Sequence, residues 1–177
     1  MNAESTTNNH ARKLVLLAGF TAGLADFLFA SITRVMSGGS WMDPWKGVAG
    51  CLIGKAAREG GFEIVLLGIA LHFFICFSAA AMLYFILKKA PALPRQWLLV
   101  AVVYGIVFML VMNYVVAPLS RAGRSIYPVE TLPINAFWHI VLVGLTSAWF
   151  VTRALKLPGA GADPSAPPQM QAVDPAP

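Results

Sequence analysis

Four stretches of this chain are apolar for about the 20 residues that a helix needs to cross a bilayer. They are residues 14–35, 64–87, 96–117 and 134–155. Together they leave no room for a soluble globular domain, so the sequence predicts one integral membrane unit. The composition agrees: 58% of the residues are hydrophobic and only 12% are charged, about half the charge of an ordinary soluble domain. The segment at 68–84, GIALHFFICFSAAAMLY, is nearly all apolar yet holds His72 near its middle. A histidine at that depth must be covered by other helices.

The formal net charge of +5 does not point to nucleic acid. Arg12, Lys13, Lys88, Lys89, Arg95, Arg153 and Lys156 all flank the apolar segments, where cations meet lipid headgroups and set topology. Cys51 and Cys76 form no paired motif, and Cys76 lies too deep in a span for a disulfide to Cys51. Arg12-Lys13 before an apolar run has the outline of a signal peptide. The run is long for one, holds Asp26 and lacks an A-x-A site, so no cleavage is expected.

In chain order, residues 1–12 are polar and read as a disordered tail ahead of a membrane domain at 13–157. In the first span, Gly19, Gly23, Asp26 and Ala30 recur at helical spacing on one face. Small residues at that spacing let helices approach closely, so Asp26 points at protein and not at lipid. Residues 37–61 form a first long link. Asp43-Pro44 is a helix start, and the helix expected at about 44–58 is too short to span. It reads as an interfacial helix anchored by Trp41 and Trp45, with Trp45, Val48, Leu52 and Ala56 on one face. The second span carries Gly68, His72, Cys76 and Ala79 on one face. The short basic turn at 88–95 makes spans two and three antiparallel neighbours. Span three carries Gly105, Met109 and Asn113 and is expected to stop at Pro118. A second long link follows. Span four aligns Asn135, His139, Thr146 and Arg153. Residues 158–177, rich in Pro and Ala, read as a disordered tail.

Four spans put both termini on one side. The dense cations of the short 88–95 turn place that side in the cytoplasm and both long links outside. At 1.5 Å per residue, Asp26 and His72 then lie ~12–13 Å below the outer end, and Asn113 and His139 ~6–8 Å below it. The polar residues thus form two layers in the outer half. A carboxylate at such depth costs about 3 kcal/mol on insertion scales, so Asp26 is expected to be protonated or paired with His72. Two roles follow. Asp26, His72, Asn113 and His139 line an outward-facing polar pocket for a proton, cation or amphiphile, or else they clasp the helices in register.

Arg34, Arg121 and Arg124 are candidates for its rim, where they would meet an anionic headgroup or phosphate, or simply snorkel. Axial haem ligation by His72 and His139 is disfavoured by their ~5 Å difference in depth. Methionine in an apolar helix is more often filler than a soft-metal ligand. No metal site, cofactor or catalytic constellation is expected.

The run Gly68-x-x-x-His72-Phe73, then Tyr104-Gly105, then Met112-Asn113-Tyr114-Val115-Val116-Ala117-Pro118-Leu119-Ser120-Arg121 resembles small proteobacterial four-span inner-membrane proteins of a family without known function. The resemblance covers roughly residues 19–153 and is most specific over 113–121. It implies the fold and an inner-membrane location, and no chemistry. The expectation is therefore an all-α membrane protein: a four-transmembrane-helix bundle with one interfacial helix in the first outer loop. It sits in the bilayer, alone, as a homo-oligomer or beside a membrane partner.

Overall fold

A computed structural model describes residues 3–123 and 128–156. Arg124 and the tail at 158–177 lie outside the described residues. The described residues are helical, with no strand among them. Four helices are long and apolar enough to cross a membrane: α1 (Ala3–Met36), α3 (Phe62–Lys89), α4 (Leu93–Leu119) and α5 (Val129–Leu155). A shorter helix, α2 (Asp43–Ile53), follows the first span and runs into a 3-10 turn at Gly54–Arg58. One end of the bundle carries the described ends of the chain and the α3–α4 turn. The other carries the two long links and is called the link end below.

Helix α1 starts at Ala3, well before its apolar run. A helix once nucleated propagates cheaply into flanking residues. Here Ala11 is also buried against Ala154 of α5, within a small cluster that includes Leu14 and Tyr84. Residues 3–12, expected as a tail from composition, are thus the first turns of α1.

The apolar core lies towards the terminal end. Leu83, Leu87, Val100, Ala101, Val143 and Val151 form one cluster there. Glycines let the backbones of α4 and α5 touch within it. A Cβ on Gly105 would lie 2.7 Å from Ile140 Cα, and one on Gly144 would collide with the Ala101 carbonyl.

Both α4 and α5 contain a π-helical stretch, at Met112–Val116 and Ile140–Leu145. In α4 the cause is legible. Pro118 has no N–H, and its ring would clash with the carbonyl four residues back. The ladder widens, Ala117 N–H donates to Met112 O five residues back, and the helix runs through Pro118 to Leu119. In α5 the π stretch coincides with the close approach to Gly105. It also turns the helix, so the expected row of Asn135, His139, Thr146 and Arg153 is broken. His139 is buried, while Arg153 is exposed with its guanidinium 3.6 Å over the Trp149 ring.

Helix α2 packs on α3, and its Trp45 is no headgroup anchor. The indole is 1% exposed, stacked on Phe27 with centroids 4.5 Å apart, and its N–H donates to Ser31 Oγ at 3.2 Å. The close packing needs Gly68, because any side chain there would run into the Trp45 carbonyl. The buried face is therefore Trp45, Ala49 and Gly50, and Leu52 turns outward. Arg121 N–H donates to Cys51 O at 3.0 Å, so the two links are joined at the link end.

Candidate functional site

Three helices meet around His72. On α1, Gly19 and Gly23 leave room for Phe77, Phe73 and Cys76 of α3, so this stripe faces α3. Three residues beyond Asp26, the Phe29 ring packs tilted against Trp138 of α5, with centroids 4.5 Å apart. Asp26 lies three residues from Gly23 and three from Phe29. At 100° per residue it therefore turns between α3 and α5, into the bundle. Leu24, Leu28 and Ile32 form the exposed stripe on the far side.

Asp26 and His72 are each ten residues from the link end of their helices, so they share one level about 15 Å down. The structure brings them together: His72 Nδ1 lies 4.0 Å from Asp26 Oδ2. The other ring nitrogen is committed. A carbonyl only accepts, so Nε2–H of His72 donates to Gly23 O at 2.9 Å. In the neutral ring Nδ1 then carries the lone pair that faces Asp26. A bond between the two requires one proton, held by the carboxyl or by the imidazole. His72 is closed over by rings, with Trp45 edge-on at 5.0 Å and Phe73 at 5.3 Å. Its side chain is 9% exposed, whereas that of Asp26 keeps 27%.

Asn113 and His139 are buried on α4 and α5, Asn113 completely. Nδ1–H of His139 donates to Asn135 O at 2.8 Å, and the ring lies 6.4 Å from that of Phe108. Asn113 sits inside one π stretch and His139 immediately before the other. Such bulges, rare in general, recur at functional sites.

Of the rim candidates, Arg34 is engaged elsewhere. Its Nε donates to Asp43 Oδ2 at 2.8 Å, and Ser40 N–H donates to the same oxygen at 3.1 Å. These two contacts, Ser40 first, hold the Asp43 carboxyl below its ordinary value. Arg121 is exposed in the second link, and Arg124 lies outside the described residues.

Two shallow apolar hollows open on the surface. Ser31, Ile32, Val35, Met36 and Trp41 line one, and Lys13, Leu16, Leu17, Phe20 and Phe77 line the other. Neither includes any of the four candidate residues. No group of three His, Cys, Asp or Glu side chains among the described residues is placed to hold a metal ion.

The sequence places Cys76 on the His72 face, but it does not place Trp45 in this region. Cys76 Sγ lies 3.8 Å from His72 Nε2. Trp45 was assigned to the headgroups because tryptophan in a link usually sits there. Gly68, six residues into α3 on the His72 face, was the signal that another backbone packs there.

No protein-family model, curated protein or solved structure matches the chain.

Proposed function

We propose that this multi-pass protein is a small transport or ligand-binding protein of the bacterial inner membrane. Its polar pocket opens outward and takes a proton or a small cation. Asp26 and His72 form the floor, Asn113 and His139 the upper layer, and Arg121 part of the rim. The link end faces out and the termini face the cytoplasm, on the strength of Lys88, Lys89 and Arg95 in the short turn.

The observation that carries this reading is Asp26. Its side chain lies ten residues from the link end of α1, is 27% exposed, and stands 4.0 Å from a histidine whose other nitrogen is fixed. A carboxylate kept reachable at that depth costs stability, and ionisable groups inside spans mark ion and proton sites. Four spans are few for alternating access, so the working unit is an oligomer of this chain.

The test is proton movement in vesicles that hold the purified protein and a pH-sensitive dye, driven by a potassium diffusion potential. Wild type should move protons faster than empty vesicles. Asp26→Asn should match the empty vesicles while melting normally. If Asp26→Asn conducts as wild type does, the reading is lost.

A second reading makes the protein a structural or accessory subunit whose polar pairs only hold helices together. The observation in its favour is Trp45, which closes His72 off from the link end. It expects a membrane partner that co-purifies in native lipid.

A further inference from the structure

The terminal end carries a charge asymmetry that the proton site does not use. Seven cations flank the spans there, against one acid among the described residues, Glu4, about two turns before Arg12. At the link end Asp43, Glu59, Glu63 and Glu130 offset most of the cations. Within the terminal end Arg153 stands apart. It is exposed and lies two residues before the last residue of α5, where an arginine is expected to snorkel out to water. It folds back instead. Its guanidinium lies 3.6 Å over the ring of Trp149, one turn deeper in the span. Side chains lean towards the N-terminus of their helix, and in α5 that direction runs into the bilayer. Trp149 is itself braced by the Trp97 ring of α4, edge-on at 5.5 Å, and stays 41% exposed. The guanidinium is thus held on the α4–α5 seam, about 3–9 Å below the end of the helix. Among the described residues it meets no carboxylate.

We infer that this seam binds an anionic phospholipid, whose phosphate sits on the Arg153 guanidinium and whose acyl chain runs down past Trp149 and Trp97. A guanidinium laid on an aromatic face keeps the fork of N–H donors in its plane, and that fork matches the oxygens of a phosphate. A cation turned into the bilayer, with no carboxylate beside it, is stabilised by an anion from the leaflet. At this depth a lipid brings its phosphate with it, whereas free phosphate would have to leave water. Trp149 is the positioning residue, because it holds the guanidinium one turn below the helix end. The remaining cations of this end supply the field that enriches anionic lipid around it. The site lies at the opposite end of the bundle from the link end, and it stands or falls independently of the proton site near Asp26.

The experiment is tryptophan fluorescence of the full-length protein in phosphatidylcholine vesicles that contain brominated phosphatidylglycerol or, in parallel, brominated phosphatidylcholine. Bromine quenches the indoles that it touches. Trp41, Trp45 and Trp138 belong to the link half, so a change on altering Arg153 is read by Trp97 and Trp149. Wild type should be quenched by the anionic lipid in preference to the zwitterionic one. Arg153→Gln should lower that preference about fivefold, the weight of one basic side chain at an anionic surface. Lys156→Gln, three residues on and equal in charge, should keep most of the preference. Trp149→Leu frees the guanidinium to turn out to water and, read through Trp97, should lower the preference too. It serves as the second variant should Arg153→Gln fail to fold. A preference unmoved by Arg153→Gln and Trp149→Leu, or lowered as much by Lys156→Gln, overturns the inference, since charge alone then gathers the lipid. Relief of the quenching by inorganic phosphate at constant ionic strength also overturns it, by giving the site to a free anion.

Discussion

His72 holds Gly23 O through Nε2–H at 2.9 Å and presents Nδ1 to Asp26 Oδ2 at 4.0 Å. The first contact fixes the ring, and the second is longer than a hydrogen bond. The ring is locked against α1 by a backbone carbonyl that no substitution at Asp26 removes. The carboxylate is thereby relieved of the structural task.

His72→Ala removes the bond to Gly23 O and a buried ring beneath Trp45. The melting temperature in detergent should fall by the equivalent of about 2–4 kcal/mol. His72→Gln, which can still donate to the carbonyl, should recover part of the loss.

Trp45→Ala empties the space between Phe27 and His72. Truncating so large a buried ring costs about 3–5 kcal/mol. Calorimetry of the variant should show that loss, whereas a headgroup anchor would cost little. Gly68→Ala should destabilise by about 1–3 kcal/mol, because the group in its way is the rigid Trp45 carbonyl. Gly47→Ala is the control. Nothing lies within 4 Å of that position in α2, and alanine there should stabilise by about 0.5–1 kcal/mol.

Asp43 gives the link end an acid-sensitive contact. Its carboxyl is held below the ordinary 3.8 by Ser40 N–H and Arg34. A carboxyl depressed on folding contributes stability that is fully present above the unfolded value, and loses it as pH falls through the folded one. Melting of wild type should therefore weaken below about pH 4, and Asp43→Asn should flatten that limb. The site is exposed, so the effect is small and salt-sensitive.

Cys51 and Cys76 report the orientation. Cys51 is half-buried at the end of α2 and Cys76 is buried in mid-span. A membrane-impermeant maleimide should label Cys51 in intact right-side-out vesicles and spare Cys76. Labelling of Cys51 only after the vesicles are opened would reverse the orientation.

Much of this architecture was legible in the residues. Continuous apolar runs between basic flanks located the four long helices, since few other sequences need such runs. The stripe of Gly19, Gly23 and Asp26, set against His72 at the same depth, put the two at one level but left open whether they meet. Other features resisted. Pro118 read as a helix stop, yet a π stretch absorbs it, and that choice is made by packing and not by the local sequence. Arg34 looked available to an anion, but Gly38 and Gly39 turn the chain tightly enough to bring Asp43 back onto it.

The central claim is that Asp26 is kept for a task other than holding the bundle together. The most direct test is the melting temperature of wild type, Asp26→Asn, His72→Ala and the double variant in detergent, closed as a cycle. The account predicts that Asp26→Asn melts at or above wild type, with the loss confined to His72→Ala, since a carboxylate retained for function is held at a cost to stability. Strong destabilisation by both single changes, with little further loss in the double variant, would make the pair a clasp and contradict the claim.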